Sequence, residues 1–86
     1  MKKNKKNIED FILKNLLKIN KKYKNLDKSN NLFYQHLDSL DFMKLIFIIE
    51  KKFNFQFKSK DLSKIRTINE ISNYIIKKHK PVSKNN

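Results

Sequence analysis

Ser39 is the residue whose surroundings best suit covalent chemistry. It stands in the run Asp38-Ser39-Leu40-Asp41, with a long polar stretch before it and an apolar-periodic stretch after it. That placement puts a hydroxyl just inside the start of a helix, exposed and unencumbered. Free amides and the helix dipole both stabilise negative charge there, so an attached phosphate would be favoured. Taken alone, the tetrapeptide is an ordinary helix cap, because Asp and Ser are preferred cap residues. Little else in the chain could do chemistry. There is no Cys, hence no thiolate nucleophile, disulfide or zinc–cysteine site. There is no Gly, hence no phosphate-cradling glycine loop, no G-x-S-x-G elbow and no dinucleotide fingerprint. The histidines, His36 and His79, are too few for most metal or acid–base constellations. No catalytic residue and no metal site is expected. A chain of 86 residues makes one domain, not two lobes closing on a substrate.

The elements that must position Ser39 follow from apolar spacing. Ile8, Phe11, Ile12, Leu16, Ile19 and Tyr23 recur at three- and four-residue steps with lysines mostly between them. This predicts an amphipathic helix over about residues 7–23. Residues 25–37 break the rhythm with Asp, Ser and Asn around isolated Leu26, Leu32 and Phe33, a long loop with apolar pins. A second helix is expected from Asp38, whose side chain caps it, with Asp41 making a weaker reciprocal box. Leu45, Ile49 and Phe53 form one stripe along it, and Met43, Ile46 and Phe47 a second. Such a helix is buried on more than one side or lines a cavity. Phe53, Phe55 and Phe57 alternate with Asn54 and Gln56 in strand fashion. With no partner strand they read as an extended connector. A short helical turn at about residues 61–65 follows. Thr67-Ile68-Asn69-Glu70 is a capping box that opens a last helix, with Ile68, Ile71 and Ile75 inward. Lys77, Lys78 and Lys80 suit its C-terminal dipole, and Pro81 ends it. The expected fold class is all-α, a small four-helix bundle of three main helices and one short one. It is a single domain over residues 1–80 with a disordered basic tail at 81–86.

The Asp38-Ser39-Leu40-Asp41 run is followed in register by Leu45, Glu50, Phe53, Asp61, Ile65, Thr67 and Tyr74-Ile75. In this the chain resembles the acyl carrier protein family, from about residue 8 to residue 77. The resemblance implies a four-helix carrier fold in which Asp-Ser-Leu opens the second helix. It implies that a phosphopantetheinyl transferase attaches 4'-phosphopantetheine from coenzyme A to Ser39. Asp38 and Leu40 are then recognition neighbours, and Asp41 helps to shape the site. The arm's thiol would carry an acyl or aminoacyl group as a thioester for fatty-acid-like, polyketide or other specialised acyl-transfer synthesis. The chain itself would not be an enzyme. A carrier also needs an apolar crevice for its cargo, and Met43, Ile46 and Phe47 with Ile65 are the candidates to line it. The bulk of Phe42 and Phe47 favours a short or transient cargo. The chain departs from the family just before the motif, where His36 and Leu37 replace a small or glycine residue. His36 reads as an incidental loop histidine.

A second departure is charge. The net charge is +13, from 21 basic and 8 acidic residues, and all the basic residues but Arg66 are Lys. Residues 1–28 carry +7, residues 29–57 are neutral and residues 58–86 carry +6. The family's second helix is strongly acidic, whereas here Lys44, Lys51 and Lys52 cancel Asp38, Asp41 and Glu50. Lys44, Glu50, Lys51 and Lys52 are the candidate partner face. The expected partners, besides the transferase, are a cognate acyl-loading ligase or transferase and acyl-using enzymes, all of compensating charge. A rival reading is a small basic helical module that binds nucleic acid or an anionic membrane surface through its Lys-rich first and last helices. The scatter of lysines over both ends, and Lys rather than Arg, argue against a specific nucleic-acid partner. The longest apolar run, residues 45–49, is far short of the ~20 residues a spanning helix needs. The basic start lacks the apolar core of an export signal. The expectation is a monomeric, cytoplasmic protein.

Overall fold

A computed structural model describes residues 4–78. Four helices follow one another as α1 (Lys5–Ile19), α2 (Ser39–Phe53), α3 (Ser59–Leu62) and α4 (Ile68–Lys78). Short 3-10 turns lie at Lys21–Tyr23 and Leu32–Gln35, and no strand occurs among the described residues. The expected all-α class, with three main helices and one short one, is what the chain adopts. α1 packs on both α2 and α4. Its Ile8, Ile12 and Leu16, spaced four residues apart, are fully buried. They share one core with Leu45 and Ile49 of α2 and with the inward isoleucines Ile68, Ile71 and Ile75 of α4. Each such side chain contributes about 1.5–3 kcal/mol by leaving water.

Local chemistry sets the helix ends. α1 stops at Ile19 and does not run on to residue 23 as the spacing predicts. Asn20 turns to extended backbone, its N–H closes on Leu16 O at 3.0 Å, and its side chain accepts from Lys22 N at 2.9 Å. A short amide side chain thus offers the backbone an alternative to another helical turn. α2 begins where expected, with Asp38 Oδ1 accepting from Leu40 N–H at 2.7 Å. At its other end Asn54 adopts the left-handed region, and the Phe55 N–H bonds Glu50 O at 3.2 Å. A chain with no glycine must place other residues at positive φ, and it uses Asn25, His36 and Asn54. Asn tolerates that region well; His36, at φ 69°, occupies a conformation that favours glycine.

The segment after α2 is the extended connector expected from its alternating phenylalanines. Phe57 is buried, and its ring stacks on Tyr74 of α4 with centroids 4.9 Å apart. α3 lies a few residues earlier than the predicted turn at 61–65. No side chain caps its start, so the tertiary bond from Tyr74 O–H to Asp61 Oδ2 at 2.8 Å helps to place it. The α4 box is complete: Glu70 N–H bonds Thr67 Oγ1 at 3.0 Å, and Glu70 Oε1 accepts from Thr67 N–H at 3.0 Å and from Arg66 N–H at 2.7 Å. His79, Lys80, Pro81 and the tail at 81–86 lie outside the described residues.

The loop ahead of α2 is fastened to the body. Leu32 and Leu37 are buried, with Leu26 and Phe33 partly buried beside them. Leu32 N–H bonds Arg66 O at 2.7 Å, and Asn69 N–H bonds Lys28 O at 3.1 Å. The Gln35 side chain bridges Asp27 and Asn30 within the loop.

Candidate functional site

Ser39 is the first residue of α2 and is exposed. Leu37 before it and Phe42 after it are both buried, so the serine projects from a backbone anchored on either side. The Asp38 cap uses the Leu40 amide, which leaves the Ser39 and Asp41 amides to solvent or to an anion. Leu40, 73% exposed, stands beside the hydroxyl as a bare apolar side chain.

Asp41 does not close a reciprocal box on the Asp38 amide. Its Oδ2 accepts instead from the Tyr23 O–H at 2.6 Å, and the Asp38 N–H donates to the same Tyr23 oxygen at 3.1 Å. The physical reason is reach: the 3-10 turn at Lys21–Tyr23 brings a long, buried phenol to the helix start, where it serves both groups. Burial, foremost, raises the Tyr23 pKa, and the Asp41 carboxylate beside it acts in the same direction. Tyr23 is thus the site residue that the sequence conceals. Its spacing marks it as an α1 core position, and nothing in that spacing says which carboxylate its hydroxyl meets.

The acids of α2 are all engaged within the chain. Asp38 caps the helix and Asp41 takes the Tyr23 proton donor, with Lys44 Nζ at 3.7 Å from its other oxygen. Glu50 accepts from the Phe57 N–H at 2.9 Å and so holds the connector. Of the proposed partner face, only Lys44 and Lys51 share an exposed stripe, at i and i+7. Lys52 lies over the Phe11 ring of α1, 5.8 Å from its centroid, and Glu50 faces the connector. The stripe between Lys44 and Lys51 is apolar: Met43 is 50% exposed and Phe47 is 60% exposed, with Lys51 Nζ 5.3 Å from the Phe47 centroid.

The four crevice candidates therefore sit in two environments. Ile46 and Ile65 lie in the core, whereas Met43 and Phe47 lie on the surface. Phe47 borders a shallow cleft with Glu50, Lys51 and Phe55, and Ile65 borders a different one with Asp61, Lys64 and Tyr74. No group of His, Cys, Asp or Glu that could hold a metal occurs among the described residues. No helix among them is long and apolar enough to cross a membrane.

Residues 12–75, most of the described chain and both Ser39 and Tyr23 among them, match the protein family described as the phosphopantetheine attachment site. The chain belongs to that family. Acyl carrier proteins of Chlamydia caviae and Chlamydia felis are similar to it, each 40% identical over 48 residues. Those residues are 54% of this chain and 62% of each relative, so the chain spans about three-fifths of the length of the curated relatives it matches. No solved structure gives a significant match. The group implied by the phosphopantetheine attachment family is 4'-phosphopantetheine, held covalently, and domains of this family carry substrates and do not transform them. The surroundings of Ser39 fit such a group. The hydroxyl is exposed, two neighbouring amides are left over by the cap, and no side chain among the described residues bonds the hydroxyl.

Proposed function

We propose that this chain is an acyl carrier in which Ser39 bears the 4'-phosphopantetheine arm. The observation that carries the reading is an exposed serine in the first turn of α2, inside the matched family region. A phosphopantetheinyl transferase supplies the chemistry of attachment, and this chain supplies the hydroxyl and its setting. Once attached, the arm offers a thiol that holds an acyl or aminoacyl group as a thioester. Asp38 and Asp41 fix the helix start, and Leu40 gives the transferase an apolar contact beside the serine. Leftover amides and the dipole of α2 favour the phosphodiester.

Met43 and Phe47 form the mouth of the cargo shelter in this reading and Ile46 its floor, while Ile65 borders a different cleft. Because the floor is packed into the core, a short or transient cargo suits it best. The partner face narrows to Leu40, Met43, Lys44, Phe47 and Lys51. With Asp41 bonded to Tyr23 and Glu50 to the connector, that face presents lysines around apolar side chains, so loading and acyl-using enzymes of acidic rim would meet it fastest. The reading places a monomeric carrier in the cytoplasm.

Intact mass after incubation with coenzyme A and a broad-specificity transferase tests the assignment. The wild type should gain one phosphopantetheine and Ser39→Ala none, while stability stays within about 0.5 kcal/mol because the hydroxyl is exposed. A gain on Ser39→Ala would move the attachment elsewhere. No gain on the wild type would overturn the carrier reading.

A further inference from the structure

Between Asp10 and Asp27 the chain has no acid, and it has five lysines: Lys14, Lys18, Lys21, Lys22 and Lys24. All five are exposed. The ion pairs among the described residues engage Lys6, Lys28 and Lys44, and none of these five. Lys14 and Lys18 near the end of α1 and Lys21 in the 3-10 turn after it are exposed in succession, and Leu17, 42% exposed, sits among them. Together with Ile19 and Asn20 these residues line a shallow cleft of about 620 Å³. The surface is mixed, with a lysine rim around aliphatic side chains.

That mixture has a natural counterpart. A duplex offers phosphates but nothing for an exposed Leu17, and the patch contains no arginine for base edges. An anionic bilayer offers diffuse negative charge at the headgroups and an apolar layer directly beneath. We propose that the C-terminal end of α1 docks on anionic lipid bilayers. Most of the apolar face of α1 is committed to the core, so Leu17 is the main side chain free to dip below the headgroups. Binding is therefore mainly electrostatic, reversible and salt-sensitive.

The patch is tied to the serine. Lys21 and Lys22 share a 3-10 turn with Tyr23, whose hydroxyl touches both Asp38 and Asp41. Docking would thus hold the anchor of the arm close to the membrane. This last consequence rests on the carrier reading; the lipid binding does not.

Co-sedimentation of the full chain with vesicles tests the proposal. Vesicles of equal phosphatidylglycerol and phosphatidylcholine are compared with pure phosphatidylcholine, and with a 20-base-pair duplex measured by anisotropy. Each lysine at such a surface is worth about a fivefold gain in partitioning, so Lys14→Glu/Lys18→Glu/Lys21→Glu should lose about a hundredfold or more. The charge-matched control Lys58→Glu/Lys60→Glu/Lys64→Glu should lose less than about fivefold, since it lies off the patch. Leu17→Ser should weaken vesicle binding about threefold and leave duplex binding unchanged. Circular dichroism confirms that each variant keeps its helices. Equal losses in the two triple variants would reduce the effect to net charge and overturn the proposal. Tighter binding to the duplex than to the vesicles would overturn it in favour of nucleic acid, and no effect of Leu17→Ser would overturn the seating of the α1 end in the bilayer. Failure of Ser39 to accept the arm would leave these outcomes unchanged, so the two readings fail separately.

Discussion

The Tyr23 hydroxyl lies between an amide and a carboxylate, and both belong to the helix start that carries Ser39. Its loss would strip one donor from Asp41 and the acceptor from the Asp38 amide. A hydrogen bond to a charged group contributes about 1.5–3 kcal/mol, so Tyr23→Phe should cost about 2 kcal/mol, read as a lower urea midpoint at unchanged slope. The same phenol has a consequence at high pH. Burial first, then carboxylate neighbours, raise the pKa of Tyr23 and likewise of Tyr74. The folded state therefore holds these protons where the unfolded chain has begun to release them. The stability this gives is fully present below about pH 10 and is lost as pH rises through the higher folded values. Urea midpoints from pH 9 to 11.5 should fall, and fall less in Tyr23→Phe/Tyr74→Phe. An identical alkaline loss in that double variant would show that the two phenols are not its source.

At the scale of the elements, caps are legible in sequence because they are local. Asp38 and the Thr67–Glu70 box bond across two or three residues, and both helix starts lie where the residues put them. The end of α1 is less legible, since Asn20 competes for backbone groups only once a following turn exists to receive it. α3, with no side-chain cap, is placed by Tyr74 and so cannot be located from its own residues. The orientation of α2 is the costliest ambiguity. Either of its two apolar stripes reads as a candidate for burial, and packing on α1 turns Leu45, Ile49 and Phe53 inward together with Ile46, leaving Met43 and Phe47 outside. Phe42 went to the core, against Phe33 at 5.2 Å, and Phe47 went to the surface. Phe42→Ala should accordingly cost about 3–5 kcal/mol, and Phe47→Ala less than about 0.5. Chemical denaturation of the pair would expose a reversed orientation at once, since the two costs would trade places.

At the scale of the whole molecule, a net charge of +13 on 86 residues works against the folded state. Its described ion pairs are lysine–carboxylate contacts at 3.3–3.7 Å; Lys6–Asp10 and Lys44–Asp41 lie at the surface and are each worth about 0–1 kcal/mol, while Lys28 meets the buried Glu9. Repulsion among the remaining lysines is the larger effect. Raising sodium chloride from 0.01 M to 1 M shortens the Debye length from about 30 Å to about 3 Å and should screen it. The thermal midpoint should then rise by several degrees. A flat or falling midpoint would mean that the pairs outweigh the repulsion. The overall charge was open to counting, but its effective sign on α2 was not, because only the fold reveals which acids are engaged within the chain.

Two backbone bonds, Leu32 N–H to Arg66 O and Asn69 N–H to Lys28 O, join the loop before Ser39 to the start of α4. In deuterium oxide the Leu32 amide, on a fully buried residue, should exchange as slowly as the core amides of α1, although no α-helix contains it. Exchange within seconds would mean that the loop detaches freely. If it is slow, the loop breathes only with α4. Any widening of the fold to admit a cargo must then come from α2, α3 or the phenylalanine connector, and isotope uptake along those segments would time the doorway.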